Sequence, residues 1–128
     1  MILILVFGGA YQGMLEYVLE RFGRANSEIY YCNDETEVIP DGEKIVFEFD
    51  KWILALVKSD IDAENAVKRF IAGNKGAVVI CNDISCGVVP ADPVMRKWRE
   101  ETGRALAALS KASDEVVRLF CGIPCKIK

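Results

Sequence analysis

The sequence predicts a three-layer α/β fold, with helices on both faces of a mainly parallel sheet of about five or six strands. Strand and helix patterns alternate along the chain from its first residues onward. Two apolar runs, residues 2–7 and 76–81, have the continuous hydrophobicity of strands that are covered on both faces. A glycine-rich turn from Gly8 to Gly13 joins the first strand to a helix, as in a P-loop. We therefore expect one P-loop-like domain over residues 1–128.

Length, charge and the first apolar run exclude several classes of protein. The chain has 128 residues and a net charge of −3, so a nucleic acid or an anionic membrane is not expected as the main partner. The apolar run at the N-terminus is too short to span a membrane, and no basic residue precedes it as in a signal peptide. We expect a cytoplasmic protein.

The cysteine and histidine content limits the chemistry further. The chain has five cysteines without a C-x-x-C pair, and it has no histidine. Free thiols are therefore expected rather than disulfides, and no metal site is predicted from the cysteines. Acid–base catalysis by histidine, a Ser-His dyad and a phosphohistidine intermediate are excluded. The cysteines are Cys32, Cys81, Cys86, Cys121 and Cys125.

The first half of the chain predicts three strands and one helix. Helical spacing of apolar residues begins at Met14 and stops at Gly23. A second strand is predicted over residues 27–32 and a third over residues 44–49. Between them, residues 33–43 form a polar loop in which Pro-Asp-Gly predicts a turn.

The second half predicts more helix than strand. Residues 50–58 and 60–72 predict two helices, the second capped by Asp60 or Asp62, or alternatively a single helix bent near Ser59. After the strand over 76–81, residues 82–93 are irregular, and residues 94–113 form the longest helix, with an apolar stripe that includes Trp98. Two final strands, 115–120 and 125–128, are expected to be joined by Gly122-Ile-Pro124.

The glycine turn meets only half of the phosphate-loop consensus G-x-x-x-x-G-K-[ST]. Gly8, Gly9 and Gly13 are candidate nucleotide-binding residues because their backbone amides can face a phosphate. Met14 stands where a lysine would reach the β- and γ-phosphates, and Leu15 where a hydroxyl would bind Mg²⁺. The turn is therefore open to three interpretations: a turn kept for its geometry, residual anion or nucleotide binding, or working phosphoryl transfer.

Acidic residues follow two of the predicted strands. Glu48 and Asp50 end the third strand, and Asp83 follows the fourth, at the carboxyl edge where open α/β sheets bind ligands. These three are candidate ligand or Mg²⁺ residues. The alternative is a solvated strand end, with Asp50 capping the next helix.

The last third of the chain resembles a known family. Four segments match it in order and spacing: Gly87-Val-Val-Pro90, Trp98-Arg99-Glu100-x-x-Gly103-Arg104, residues 112–116 and Gly122-x-Pro124-x-Lys126. These segments resemble the bifunctional adenosylcobinamide kinase/adenosylcobinamide-phosphate guanylyltransferases of cobalamin biosynthesis. Residues 82–128 carry nearly all of the resemblance, while residues 33–43 match poorly.

The resemblance implies a P-loop fold, a homo-oligomer and the use of GTP or ATP with Mg²⁺. Such enzymes phosphorylate adenosylcobinamide and then transfer GMP onto that phosphate through a guanylylated histidine. Carried over by position, Gly8, Gly9 and Gly13 match the phosphate-loop glycines, and Asp83 falls where the family has glutamate. Tyr11, Gln12, Met14 and Leu15 stand in place of the family's Arg, Ser, Lys and Ser. Leu106 and Ala107 replace the Asn and Gln of a Gly-Arg-x-Asn-Gln signature.

Two departures from the family bear on activity. The histidine is absent, and Met14 replaces the kinase lysine. We therefore expect a shortened, degenerate member without catalytic residues, which binds a nucleotide or corrinoid. One alternative is a divergent phosphotransferase that recruits Lys51, Arg96 or Arg104 as the missing cation. The other is a structural subunit that pairs with a complete paralogue.

Overall fold

The computed structural model describes residues 2–9, 13–23, 28–36, 38–84 and 90–128. Within them lies a six-stranded sheet with the order β2-β3-β4-β1-β5-β6, parallel except for the antiparallel pair β5–β6. The strands are β1 (Ile4–Gly8), β2 (Ile29–Tyr31), β3 (Ile45–Phe47), β4 (Val78–Asn82), β5 (Glu115–Phe120) and β6 (Ile123–Lys126). The helices are α1 (Met14–Phe22), α2 (Phe49–Lys58), α3 (Ala63–Gly73) and α4 (Pro93–Ala112). The predicted α/β class with a mainly parallel sheet is confirmed.

Strand β1 is the central strand of the buried part of the sheet. Leu5 pairs with Val79 of β4 on one side and with Val116 of β5 on the other. Leu5 and Val6 are completely buried. This position explains the continuous apolar run at the start of the sequence, because both faces of the strand are covered.

The helices form two unequal layers, one on each face of the sheet. Helix α1 packs through Met14 and Val18 against one face. Helices α2, α3 and α4 cover the other face, around a cluster of aromatic rings. The ring of Phe49 lies 5.1 Å from that of Trp52 and 5.0 Å from that of Phe70, both edge to face. The predicted helices on both faces are therefore confirmed, with the larger core on the α2–α4 side.

At the amino edge of the sheet, Asp114 joins β5 to the start of β1. Its carboxylate accepts a hydrogen bond from Leu3 N at 2.9 Å, and its own N–H donates to Leu3 O at 2.8 Å. The preceding residue, Ser113, donates from Oγ to Leu109 O at 2.5 Å and closes the end of α4. Ser113 thus ends α4, and Asp114 aligns β5 with β1. Both residues belong to the segment 112–116 on which the family resemblance rests.

The third strand is shorter than the sequence predicts. Glu48 takes up a left-handed conformation with φ 57°, which ends the strand after Phe47. Phe49, predicted as the last strand residue, is fully buried as the first residue of α2. The apolar run misled the prediction because its last member belongs to the helix core.

The two middle helices are separate, so the alternative of one bent helix is wrong. Helix α2 ends at Lys58, and Asp60 turns the chain with φ 55°. Asp62 is the N-cap of α3, and its carboxylate accepts from Asn65 N. One of the two predicted caps is therefore confirmed.

The final hairpin turns earlier than predicted. Cys121 and Gly122 form its two-residue turn with φ 51° and 76°, and β6 already begins at Ile123. Two positive φ angles in succession match the right-handed twist of the flanking strands. The expected connection through Gly122-Ile-Pro124 is wrong, because Ile123 and Pro124 pair with β5.

None of the helices in the described ranges has the length and apolar character needed to cross a membrane. Residues 85–89, predicted to be irregular, lie outside the described residues together with residues 10–12.

We predict that Glu115→Gln lowers the free energy of unfolding at neutral pH by about 1 kcal/mol, a value limited by partial solvent screening. Glu115 accepts a bidentate pair of hydrogen bonds from Arg21 of α1, and these bonds lower the pKa of the carboxyl. Because the folded-state pKa is depressed, the stabilisation is present above the usual glutamate value and is lost as pH falls through the folded value. Urea unfolding across this pH range measures the difference.

The matched control is Glu64→Gln. Glu64 pairs with Lys68 at 3.5 Å on the exposed face of α3, where an ion pair contributes little. Equal losses in the two variants would contradict a specific role for the Arg21–Glu115 pair.

Candidate functional site

Two hydrogen bonds bring the predicted site residues together at the carboxyl edge of the sheet. Asp83 N donates to Gly8 O at 2.7 Å, which joins the residue after β4 to the end of β1. Asn82 N donates to Asp50 Oδ1 at 3.1 Å, which joins the end of β4 to the first turn of α2. The structure therefore places Gly8, Asp50 and Asp83 in one connected network.

Gly8 is required by the packing of two strands. A Cβ at this position would lie 2.6 Å from Leu119 O of β5, closer than carbon and oxygen can approach. A glycine is therefore needed at position 8 for a structural reason that is independent of any ligand. Gly9, the next candidate, is exposed to solvent beyond the end of β1.

Gly13 begins the first helix. It is the N-cap of α1 with φ 79°, a conformation that favours glycine, and no side chain caps the first helical N–H groups. Glu16 lies in the first turn of the same helix. Its carboxylate partly balances the positive end of the helix dipole and disfavours a second anion there. Tyr11 and Gln12 of the predicted loop lie outside the described residues.

Met14 lies in the hydrophobic core. Only 5% of it is exposed, and it belongs to the same cluster as Val6, Val18 and Leu119. Leu15 is partly buried against that cluster. At the position where a phosphate loop requires a lysine, the backbone thus directs the side chain under the helix.

Asp50 is almost completely buried, with 1% exposure. Burial raises the pKa of its carboxyl, and the hydrogen bond from Asn82 N partly offsets that effect. The prediction that Asp50 caps the next helix is wrong, because the N-cap position is Glu48 and Asp50 lies inside the first turn. Its carboxylate instead holds the end of β4 against α2.

Glu48 adopts an unusual backbone conformation at the same edge. Its φ of 57° is in the left-handed region, which costs a residue with a Cβ about 1–2 kcal/mol. The residue is half-buried, and its carbonyl accepts from Lys51 N at 2.9 Å. Strain of this kind is concentrated at functional sites, although here it also supplies the sharp change from strand to helix.

Trp98 links the longest helix to this network, a role that the sequence does not reveal. Its indole N–H donates to Asp50 O at 2.7 Å, and Lys51 Nζ lies 5.7 Å from the centre of its ring. Helical spacing alone predicts that Trp98 faces the core. No local pattern identifies a partner 48 residues away.

The three candidate replacement cations lie in different places. Lys51 is in the first turn of α2, at the carboxyl edge. Arg104 pairs with Glu101 at 2.6 Å and lies about 16 Å along α4 from its first residue at 1.5 Å per residue. Arg96 is exposed on the first turn of α4. Lys51 is the cation that the structure places next to Asp50 and Trp98.

At the start of α1, apolar residues stand where a phosphate loop holds a nucleotide and Mg²⁺. A phosphate loop provides a lysine and a hydroxyl for that purpose, and Met14 and Leu15 provide neither. Among the described residues, no group of three or more cysteine, aspartate or glutamate side chains is arranged to hold a metal ion. Metal binding by Glu48, Asp50 and Asp83 stays a prediction.

Cys32, Cys81 and Cys125 are free thiols, as predicted. Cys32 and Cys81 are buried near this edge, and Cys121 and Cys125 are exposed on the final hairpin. Burial, with a smaller effect from Asp50, raises the pKa of Cys32 to about 12. Burial raises the pKa of Cys81 as well. Both buried thiols are therefore protonated and unreactive at neutral pH.

Comparison with known proteins identifies the family. The model of the cobinamide kinase / cobinamide phosphate guanyltransferase family matches residues 43–127. The chain belongs to this family. It is also 31% identical over 83 residues to the bifunctional adenosylcobalamin biosynthesis protein CobU of Salmonella typhimurium. That alignment covers 62% of this chain and 45% of the relative. The chain therefore spans less than half of the length of that relative. The family resemblance that we inferred from the last third of this chain is confirmed.

The matched range and the unmatched range differ in what they contain. The family match includes strands β3 to β6 and helices α2 to α4, and thus Glu48, Asp50 and Asp83. Strand β1, the glycine turn and α1 lie before it. The matched range therefore includes the acidic side of the carboxyl edge but not the glycine turn.

We predict that Asp50→Asn and Asp50→Leu have different effects on stability. Asparagine keeps an acceptor for Asn82 N, so we expect a change within about 1 kcal/mol, whereas leucine leaves that N–H unsatisfied and costs about 1–3 kcal/mol. Because burial raises the folded-state pKa of Asp50, the wild-type protein loses stability as pH rises from the usual aspartate value through that raised value. Asparagine should remove this loss.

Urea unfolding of the three proteins at several pH values between about 4 and 7 tests both effects, since this range begins at the usual aspartate pKa. If the two variants were equally stable, the hydrogen bond to Asn82 would not be what matters at this position.

Proposed function

We propose that this family member is a non-catalytic binding protein that holds a nucleotide or a corrinoid at the carboxyl edge of its sheet. The observation that carries the proposal is the burial of Met14. The family relationship supports the ligand class, because the relative in Salmonella typhimurium is named for adenosylcobalamin biosynthesis. We also propose a cytoplasmic location, which the free thiols of Cys32, Cys81 and Cys125 support.

The burial of Met14 argues against phosphoryl transfer for a structural reason. A lysine introduced at this position would start from a backbone that directs the side chain into the core beside Val6 and Val18. Restoring the consensus residue therefore does not restore the cation, since burying an unpaired ammonium is strongly unfavourable. The whole start of α1 is adapted to packing.

The charges at the carboxyl edge support binding that depends on a divalent cation. Glu16, Glu48 and Asp83 are acidic residues placed there, whereas Lys51 is the cation of α2 at this edge. A polyphosphate approaching these groups meets net repulsion at neutral pH. A bridging Mg²⁺ would remove it, whereas a corrinoid without phosphate would need no ion.

A divergent phosphotransferase is the second candidate, and the position of Lys51 favours it. Its ammonium lies 5.7 Å from the Trp98 ring rather than in an ion pair within the described residues. A ligand phosphate can compete with a cation–π contact more easily than with a buried carboxylate. This candidate requires turnover, which distinguishes it from the first.

A structural subunit is the third candidate, and the final hairpin favours it. Phe120, Ile123 and Ile127 are 66%, 68% and 57% exposed. Phe120 pairs with Ile123, and residues 123 and 127 share a face because strand side chains alternate. We call these three side chains the hairpin face. An exposed apolar surface of this kind favours association, so we also propose a homo-oligomer.

We predict that the wild-type protein binds GTP or ATP more tightly with Mg²⁺ than without it, and that it transfers no phosphate to cobinamide. Lys51→Gln should weaken nucleotide binding about tenfold to a hundredfold, as expected for the loss of one hydrogen bond to a charged group. Calorimetric titration measures the affinity, and a coupled assay for nucleoside diphosphate measures turnover.

The matched control is Lys75→Gln, which removes an exposed charge just after α3 at the opposite edge. It should leave the affinity unchanged. Cobinamide-dependent turnover that Lys51→Gln abolishes would overturn the non-catalytic proposal in favour of the second candidate. If neither nucleotide binds, titration with cobinamide followed by its absorbance decides between a corrinoid site and no ligand at this edge.

We predict that Ile123→Asp lowers the average mass in sedimentation velocity, because a charge in the hairpin face disfavours its burial. Val94→Asp is the control, since Val94 is 42% exposed on the first turn of α4 and lies outside the hairpin face. A monomeric wild-type protein, or an equal effect of both variants, would contradict self-association through this face. Recovery of a stable mixed complex with a longer paralogue would instead support the structural subunit.

A further inference from the structure

A second cavity lies away from the carboxyl edge, on the outer side of α2 and α3. Its volume is about 670 Å³, within the usual range of about 300–1,000 Å³ for sites that bind small molecules. The loop that precedes β3 forms one wall through Val38 and Ile39, and α3 forms the other. We call it the α2–α3 cavity.

The floor of the α2–α3 cavity is apolar and rigid. Trp52, Leu56 and Phe70 line it, and they are 3%, 1% and 4% exposed. The rings of Trp52 and Phe70 are 5.7 Å apart. Val38 and Ile61 line its open side with 75% and 41% exposure. An apolar group entering here would cover the surface of Val38 and Ile61 that is now in water, which favours binding.

Two opposite charges lie on the rim of this cavity, Asp41 and Arg69. Over the described residues, neither side chain has a hydrogen bond or an ion pair with another group. Both are therefore available to a ligand. They also do not neutralise each other, although they line the same cavity.

Helix α3 places the two charged residues near each other. The carboxyl of Asp41 lies directly against Gly73, where a side chain larger than that of glycine would collide with it. Gly73 and Arg69 are four residues apart on α3, so they occupy the same face one turn apart. At the level of the Cβ atoms one turn separates residues by about 5–6 Å, so the long side chain of Arg69 can reach a ligand head that also contacts Asp41.

We propose that the α2–α3 cavity binds a small zwitterion with an apolar side group, the chemistry of an apolar amino acid. The ligand's carboxylate pairs with Arg69, and its ammonium group pairs with Asp41. Its side group enters the cavity above Trp52 and covers the exposed side chains of Val38 and Ile61. An apolar acid alone would pair with Arg69 but would be repelled by Asp41. A zwitterion satisfies both charges, and this decides the class.

This site is independent of the proposed site at the carboxyl edge. Gly42 N donates to Gly73 O at 3.1 Å, and Glu43 N donates to the side chain of Asn74 at 2.9 Å. These bonds place the Asp41 end of the cavity next to the start of β3, at the amino edge of the sheet. Loss of nucleotide or corrinoid binding would leave the zwitterion site unaffected, and the converse also holds.

The test compares three related compounds by NMR titration of the full chain: L-phenylalanine, 3-phenylpropionate without the ammonium, and phenethylamine without the carboxylate. The chain has two tryptophans, so the indole N–H signal of Trp52 reports on the cavity and that of Trp98 serves as the internal control. We expect phenylalanine to shift Trp52 but not Trp98, and to bind about threefold or more tighter than either analogue, since both ion pairs are exposed.

Two variants assign the charges. Arg69→Gln should remove the advantage of phenylalanine over phenethylamine, and Asp41→Asn should remove its advantage over 3-phenylpropionate. Lys68→Gln, which removes a cation on the opposite side of α3, should change neither. The proposal is overturned if no compound shifts Trp52, if all three bind equally, or if Lys68→Gln has the same effect as Arg69→Gln.

Discussion

The close approach of β1 to β5 is the constraint on which the rest of the structure depends. Gly8 allows Leu119 O to come within a distance that any side chain would block. With β4 on the other side, β1 then has both its neighbours and both its faces covered. Helix α1 must pack directly on this strand, because the chain returns over it after only a short turn. Met14 is consequently part of the core.

The elements that match the family and the glycine turn differ in what holds them together. The elements within the family match, from β3 to β6, include the network of Asp50, Asn82 and Trp98 that closes the carboxyl edge. This network consists of one buried carboxylate, two backbone groups and the Trp98 indole, all of which belong to the chain itself. The glycine turn lies outside the match and retains the conformation of a helix start at Gly13. A framework of this kind does not depend on the lysine and the hydroxyl that a phosphate loop provides.

Much of the fold was predictable because its main elements have strong local patterns. The runs that became β1 and β4 are apolar throughout, and α1 ends at a glycine that takes up the left-handed conformation. Errors arose where tertiary packing decides between two local choices. Phe49 continues an apolar run but belongs to a helix. Cys121 adopts a positive φ, a conformation that is not expected of cysteine from the sequence.

The candidate site was predictable in position but not in its bonds. The carboxyl edge follows from the order of strands, whereas the partner of Asp50 is a backbone N–H that is 32 residues away. The pairing of Asp41 with the surface of Gly73 is equally distant in sequence and has no motif. Long-range polar contacts of this type depend on the final packing of helices, which single-sequence patterns do not encode.

Pro124 lies in β6, the strand at one edge of the sheet, and it affects how this edge can associate. Because the two-residue turn makes Phe120 and Ile123 a hydrogen-bonded pair, the backbone of Pro124 faces outward from the sheet edge. Proline has no N–H, so that edge lacks one of the donors that an added strand would use. Growth into a fibre by strand addition is disfavoured there. Contacts at this end of the sheet are left to apolar side chains, and such contacts weaken on cooling.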